Sequence, residues 1–244
     1  MTGKRKYGII IPSKTERCVM SEMNNPGVKI RNAVSLACNV ATAVLVVISV
    51  LWFFEVDGVG NMANGGTGCF DYFTVDSNIL AALCGLVLVP FNLKALKSGK
   101  DEIPQWALVL KFVGTVAVTL TMLVVILFLG PTQGYGIMYA GVTFDLHLTC
   151  PLLCIISFCF LERGIVLSKK QTLWGIVPTL VYGTVYLILV VFVKAWPDFY
   201  GFNIGGFWYI SYIVLPAVTY IFALGLRALH NKAEKAKALP AADA

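Results

Sequence analysis

Six long apolar runs leave this chain few folds to choose from. They extend roughly from Ala33 to Phe54, Tyr72 to Leu93, Trp106 to Leu129, Gly141 to Leu161, Leu173 to Val193 and Phe207 to Leu226. A hydrocarbon core of about 30 Å is crossed by about 20 helical residues, which is the length of each run. Backbone groups in lipid must be satisfied internally, so continuous runs of this kind are helices, whereas a barrel would show short alternating segments. Composition agrees: 58% of residues are hydrophobic and 13% charged, against about 45–50% and roughly 25% in a soluble domain. The expected fold is an all-α polytopic membrane protein. One bundle of six transmembrane helices occupies 32–228, between a basic arm at 1–31 and a basic tail at 229–244 that is expected to be disordered.

The net charge of +6 is explained by where the charges lie. Lys4, Arg5, Lys6, Lys14, Arg17, Lys29 and Arg31 precede the first run, and Lys94, Lys97 and Lys100 separate the second from the third. Arg163, Lys169 and Lys170 separate the fourth from the fifth; Arg227, Lys232, Lys235 and Lys237 follow the sixth. The alternate connections hold Lys194 against Glu55, Asp57, Asp71 and Asp198. The positive-inside rule therefore places both termini in the cytoplasm, and no nucleic-acid partner is expected. The apolar stretch Tyr7 to Ile11 ends at Pro12 and is too short for a cleavable signal. The first run serves as the anchor, in what we expect to be a bacterial cell membrane.

Of the seven cysteines, all but Cys18 and Cys69 fall inside predicted spans, so a disulfide framework is not expected. Cys150 and Cys154 lie one helical turn apart and near His147, a spacing that suggests a metal pair. Buried cysteine is more often a small hydrophobe, and no metal or cofactor is expected.

Two stretches carry polar residues where an apolar run should not. The first is Thr143-Phe144-Asp145-Leu146-His147-Leu148-Thr149-Cys150-Pro151 in the fourth run, with one of only two histidines; the other, His230, lies in the basic tail. Ionisable side chains in lipid are costly unless they face a bundle interior or cavity. The second is Asp71-Tyr72-Phe73-Thr74-Val75-Asp76-Ser77-Asn78, where the second run begins. A helix places Thr74, Ser77 and Asn78 on one face and turns Asp76 away by about 200°. Asp71 and Thr74 can cap the first turn, but Asn78 lies deeper and needs a polar partner.

Helical rise puts His147 about 9 Å in from Gly141, and Thr74 also sits near the outer end of its span, so the two can share the outer half of one cavity. Asp145 is offset from His147 and should face elsewhere, with Lys194 as its partner. Pro151 predicts a kink just below His147. Lys111 lies near the cytoplasmic start of the third span and is expected to snorkel. Thr115, Thr119 and Thr121 can return their hydroxyls to the helix backbone. Trp196, Tyr200 and Trp208 fit an interfacial belt, and the deeper Tyr182, Tyr186 and Tyr212 are candidates to line a lipid-tail pocket.

A threonine hydroxyl becomes a nucleophile when a base takes its proton, and a neutral imidazole suits that task at physiological pH. Thr74 and His147 on neighbouring helices would supply nucleophile and base. Donors from Ser77, Asn78 or the second helix N-terminus would steady an oxyanion, a pattern that suits acyl transfer. Two other classes compete. In a proton-coupled transporter, Asp76, Asp145 and His147 would form a relay, but below Cys150 the second and fourth spans are almost wholly apolar and Lys111 is the only inner-half charge. In a structural protein the same polar residues would only join helices.

Six spans, Tyr72-Phe73-Thr74 at the entry of the second, and His147 followed by Pro151 in the outer part of the fourth together resemble the androgen-induced protein family. Ser77-Asn78 after the threonine is similar to prokaryotic-looking relatives of that family. The resemblance implies a serine-hydrolase-like threonine esterase of the membrane, acting on fatty acid esters of hydroxy fatty acids, with Thr74 as nucleophile and His147 as general base. Asn78 as oxyanion donor is inferred from its place on the Thr74 face. Asp76 and Asp145, retained as pocket candidates, the basic arm and the glycine-rich connection Glu55 to Asp71 lie outside the family pattern.

Overall fold

The computed structural model describes residues 25–55 and 65–238. Most of the basic arm (1–24, with Cys18), much of the glycine-rich connection (56–64) and the end of the tail (239–244) lie outside the described residues. Within them every element is helical. Six main helices follow: α1 (Pro26–Glu55), α2 (Phe73–Ser98), α3 (Gln105–Gln133), α4 (Asp145–Leu161), α5 (Lys169–Phe192) and α6 (Trp208–Ala238). Five are long and apolar enough to cross a membrane; α4 is shorter than these. It starts later than the apolar run because the chain from Tyr135 first makes a short separate helix, Tyr135–Met138, and a turn.

The first and last helices overrun their apolar stretches. The sequence Asn24-Asn25-Pro26-Gly27 reads as a turn, yet the Asn25 carboxamide oxygen accepts the N–H groups of Gly27 at 3.0 Å and Val28 at 3.3 Å. With Pro26 opening the helix, that is a helix cap, and α1 starts at Pro26 rather than Ala33. At the other terminus, residues 229–238 are helical rather than disordered. His230 is buried, stacked on Phe158 with ring centroids 4.7 Å apart, and Asn231 exchanges two hydrogen bonds with Leu167.

What each helix turns inward identifies the solvent outside. Along α1 the buried positions are Val28, Asn32, Ser35, Asn39, Thr42, Ala43, Val46, Ser49 and Phe53, while Val34, Val40, Val44, Val47, Ile48 and Leu51 point out. Polar and small residues inside with large aliphatics outside is the reverse of a water-soluble helix. In lipid, burying apolar surface gives helices no driving force, so close packing and interhelical hydrogen bonds hold them. Both are present. Gly114 of α3 lies so close to α2 that a Cβ there would sit 2.9 Å from the Cα of Ala81. Asn92 of α2 donates to Asn32 of α1, to the carbonyl at 3.4 Å and the side-chain oxygen at 3.3 Å.

Successive helices run antiparallel, which gives the bundle two ends. The basic end holds the α2–α3 and α4–α5 connections and is tied by Arg31 to Asp101 and by Lys94 to Glu102 at 2.9 Å. The aromatic end holds Trp196, Tyr200 and Trp208 in the α5–α6 connection and the start of α6.

Lys111 lies deeper than the sequence suggests. Instead of snorkelling it is 1% exposed; its ammonium donates to the Asn39 side-chain oxygen at 2.6 Å and lies 3.8 Å from the Glu162 carboxylate. Asn39 and Ser35 also donate to that carboxylate oxygen, at 3.2 and 3.3 Å. An ammonium taken fully out of water needs such partners. Lys111 is thus not the only charge at this depth: α1, α3 and the residue directly following α4 meet there around a buried ion pair.

Candidate functional site

At the aromatic end, α2 and α4 bring Thr74 and His147 together. The Thr74 Oγ1 lies 3.3 Å from His147 Nε2, with Thr74 5% and His147 0% exposed. The other ring nitrogen, Nδ1, lies 2.6 Å from the Met138 carbonyl oxygen. A carbonyl can only accept, so Nδ1 carries the proton and Nε2 of the neutral ring presents its lone pair to the threonine hydroxyl.

The local chain explains why the imidazole is held this way. Residues Asp145–Thr149 form a single π turn in which the Cys150 N–H reaches the Asp145 carbonyl. Pro151 has no N–H to continue the α pattern, so the expected irregularity takes the form of a π turn at His147 itself. The short helix Tyr135–Met138 then lays the Met138 carbonyl against Nδ1.

Helix α2 presents Thr74, Ser77 and Asn78 inward and leaves Asp76 partly exposed. Asn78 finds the partner its depth demands, but not as an oxyanion donor. Its carboxamide nitrogen donates to the Thr74 carbonyl at 2.7 Å and the Leu146 carbonyl at 2.9 Å. Both N–H groups are spent, and the amide ties α2 to α4. Ser77 turns to α3, with its hydroxyl 2.9 Å from that of Thr121. Thr115, Thr119 and Thr121 return their own hydroxyls to carbonyls one turn back.

The start of α2 is capped from a distance. Tyr72 is its N-cap and makes no side-chain bond to the first turn. Instead the Tyr200 hydroxyl accepts the Phe73 N–H at 2.9 Å. A phenol that accepts still has a proton to donate, and burial pushes the Tyr200 phenol up, so it keeps that proton. Asp198 fixes the loop that delivers it: its carboxylate accepts from Tyr186 at 2.7 Å and from the Phe202 and Asn203 amides at 2.9 Å each. Tyr186 then accepts the Tyr200 N–H at 3.2 Å. An aromatic residue beside a span end reads as interfacial belt, which hides Tyr200 from sequence reasoning.

Thr74 and Tyr200 line one apolar cavity of about 60 Å³ with Tyr182, Tyr186 and residues of α3 and α6. A smaller cavity of about 30 Å³ shares Thr179, Gly183, Tyr186, Phe202 and Leu215 with it and reaches Tyr212. A third, about 490 Å³ and open to the outside, runs between α2 and α5 past Asp76.

The acidic candidates are not joined to His147. Among the described residues Asp145 pairs with no cation, so its expected bridge to Lys194 is not formed. The described residues contain no group of three or more His, Cys, Asp or Glu placed to hold a metal ion. Cys150 and Cys154 are buried and free. Compared with protein-family models, curated proteins and solved structures, the chain matches none.

Proposed function

We propose that this protein is an intramembrane esterase that cleaves a lipid ester with Thr74 as nucleophile and His147 as general base. The observation that carries the reading is the 3.3 Å approach of Thr74 Oγ1 to His147 Nε2, with Nδ1 fixed by Met138. In the first half-reaction Nε2 takes the Thr74 proton while Oγ1 bonds to the ester carbonyl carbon. The oxyanion is met by the Tyr200 hydroxyl, in the role Asn78 does not fill. The imidazolium returns the proton to the departing alcohol, leaving an acyl-threonine. Water, deprotonated by Nε2, then releases the acid and restores Thr74. The acyl carbons next to the ester lie in the cavity lined by Tyr182 and Tyr186.

The reading adopts the resemblance to the androgen-induced protein family, and with it a topology of six spans, α4 among them, and both termini in the cytoplasm. The competing reading, a proton-coupled carrier using Asp76, Asp145 and His147, has one observation on its side: the buried Lys111–Glu162 pair. Against it, no hydrogen bond joins Asp76 or Asp145 to His147 among the described residues.

A fluorophosphonate probe tests the proposal on purified protein. Wild type is expected to be labelled on Thr74, and Thr74→Ala and His147→Ala to remain unlabelled while eluting as folded protein. A folded wild type that takes no label overturns the esterase reading.

A further inference from the structure

The open groove between α2 and α5 has a chemistry that the cleavage reaction does not use. Its wall is built from Phe70, Leu80, Val181, Val185 and Trp196, and the charge set into it is the Asp76 carboxylate. Ser77 also borders it, but its hydroxyl is engaged with Thr121. Phe70, Val181 and Val185 are exposed on the bundle exterior, so in a bilayer the groove opens sideways to lipid. At about 490 Å³ it falls within the size range of small-molecule sites, about 300–1,000 Å³.

Three features define what would fill it. Val177, Val181 and Val185 recur at one-turn intervals and form an apolar strip about 12 Å long on the α5 side of the groove. That strip suits an alkyl chain. Asp76 and the rings of Phe70 and Trp196 line the same groove. A carboxylate in apolar surroundings favours a cation beside it, and no described residue supplies one. Aromatic faces beside an anion are the surroundings in which ammonium and quaternary ammonium groups are recognised. Finally, Phe73 and Tyr182, with ring centroids 5.0 Å apart, border both this groove and the Thr74 cavity. Two rings separate the lateral opening from the nucleophile.

We propose that the α2–α5 groove binds a single-chain amphiphile with a cationic head, the ammonium group at Asp76 and the chain along α5. As the route by which substrate reaches Thr74, this rests on the esterase reading; as a binding site it does not. It also changes the substrate class. An ester bearing a free fatty-acid carboxylate would bring a second negative charge to Asp76, whereas an ester of an amino or quaternary ammonium alcohol would neutralise it.

Two bromoalkyl amphiphiles of equal chain length, one with a trimethylammonium and one with a sulfonate head, test this in maltoside micelles by quenching of Trp196 fluorescence. Trp196→Phe isolates that signal. The trimethylammonium compound is expected to quench at roughly tenfold lower concentration, a difference of about 1.4 kcal/mol. Asp76→Asn should bring the two together, Asp76→Glu should keep them apart, and so should Asp145→Asn, which removes a carboxylate outside the groove. Equal quenching in wild type, or a preference that persists in folded Asp76→Asn, overturns the proposal. Fluorophosphonate labelling separates the two readings. Preference without labelling leaves the groove and removes the esterase; labelling without preference does the reverse.

Discussion

Two pairs of polar side chains buried in this bundle differ in whether a cavity reaches them. At the basic end, Lys111 and Glu162 are both nearly sealed from solvent, and the carboxylate oxygen facing Lys111 also takes bonds from Ser35 and Asn39. None of the three cavities described above reaches either residue. At the aromatic end, Thr74 and His147 are equally buried but uncharged in the neutral form, joined by one long contact of 3.3 Å, and Thr74 borders a cavity. Burial alone does not mark a reactive site. A pair sealed among neighbouring side chains with no cavity at hand, even with one Glu162 carboxylate oxygen unbonded, holds helices together; a pair beside empty space, with a lone pair aimed at a hydroxyl, has room for a third molecule.

The sharpest way to break this comparison is to exchange the expected phenotypes. Thr74→Ala should lower fluorophosphonate labelling by at least about a thousandfold. Its thermal stability in detergent should fall by no more than about 1 kcal/mol, the scale of one interhelical hydrogen bond. Lys111→Met should do the opposite, costing about 3–5 kcal/mol of stability by leaving Glu162 unpaired, with labelling per folded molecule retained. The double variant Lys111→Met with Glu162→Leu should recover most of that loss in the same melting assay. Tyr200→Phe should slow labelling by roughly a hundredfold if its hydroxyl meets the oxyanion, because one such donor is worth about 10²–10³ in rate. The smallest effect belongs to Ser77→Ala: about 0.6 kcal/mol of stability from the lost Thr121 bond, and an unchanged labelling rate. A Ser77→Ala variant that labels as poorly as Tyr200→Phe would move the oxyanion role back to α2.

How much of this was legible before the structure depends on the kind of inference. The helical class follows from run length, and the face shared by Thr74, Ser77 and Asn78 follows from helical spacing. The meeting of Thr74 and His147 needed only their similar depths in the second and fourth spans, which run parallel. Orientation within a residue was not available: Asn78 lies on the right face, yet its carboxamide turns to two carbonyls rather than the cavity. Glu162 directly follows the last residue of its apolar run and so reads as part of a connection. Lys111 read as a snorkelling lysine because nothing in its own span announces a carboxylate from α4. Tyr200 was hidden for a related reason, since its partner is a backbone N–H that sequence does not display.

The long reach of Tyr200 has a consequence for how the protein is made. The Phe73 amide and the Tyr200 phenol are separated by 127 positions along the chain, and segments fold as they are synthesised, N-terminal first. Through the emergence of the next three helices, the turn carrying Thr74 lacks this distant cap. Its hydroxyl meets His147 73 residues on, but the proposed oxyanion donor arrives only with the connection to the last helix. A chain interrupted before residue 200 would hold the threonine and the histidine without that donor. On the proposed reading, completion of synthesis is then also the step that supplies the oxyanion donor.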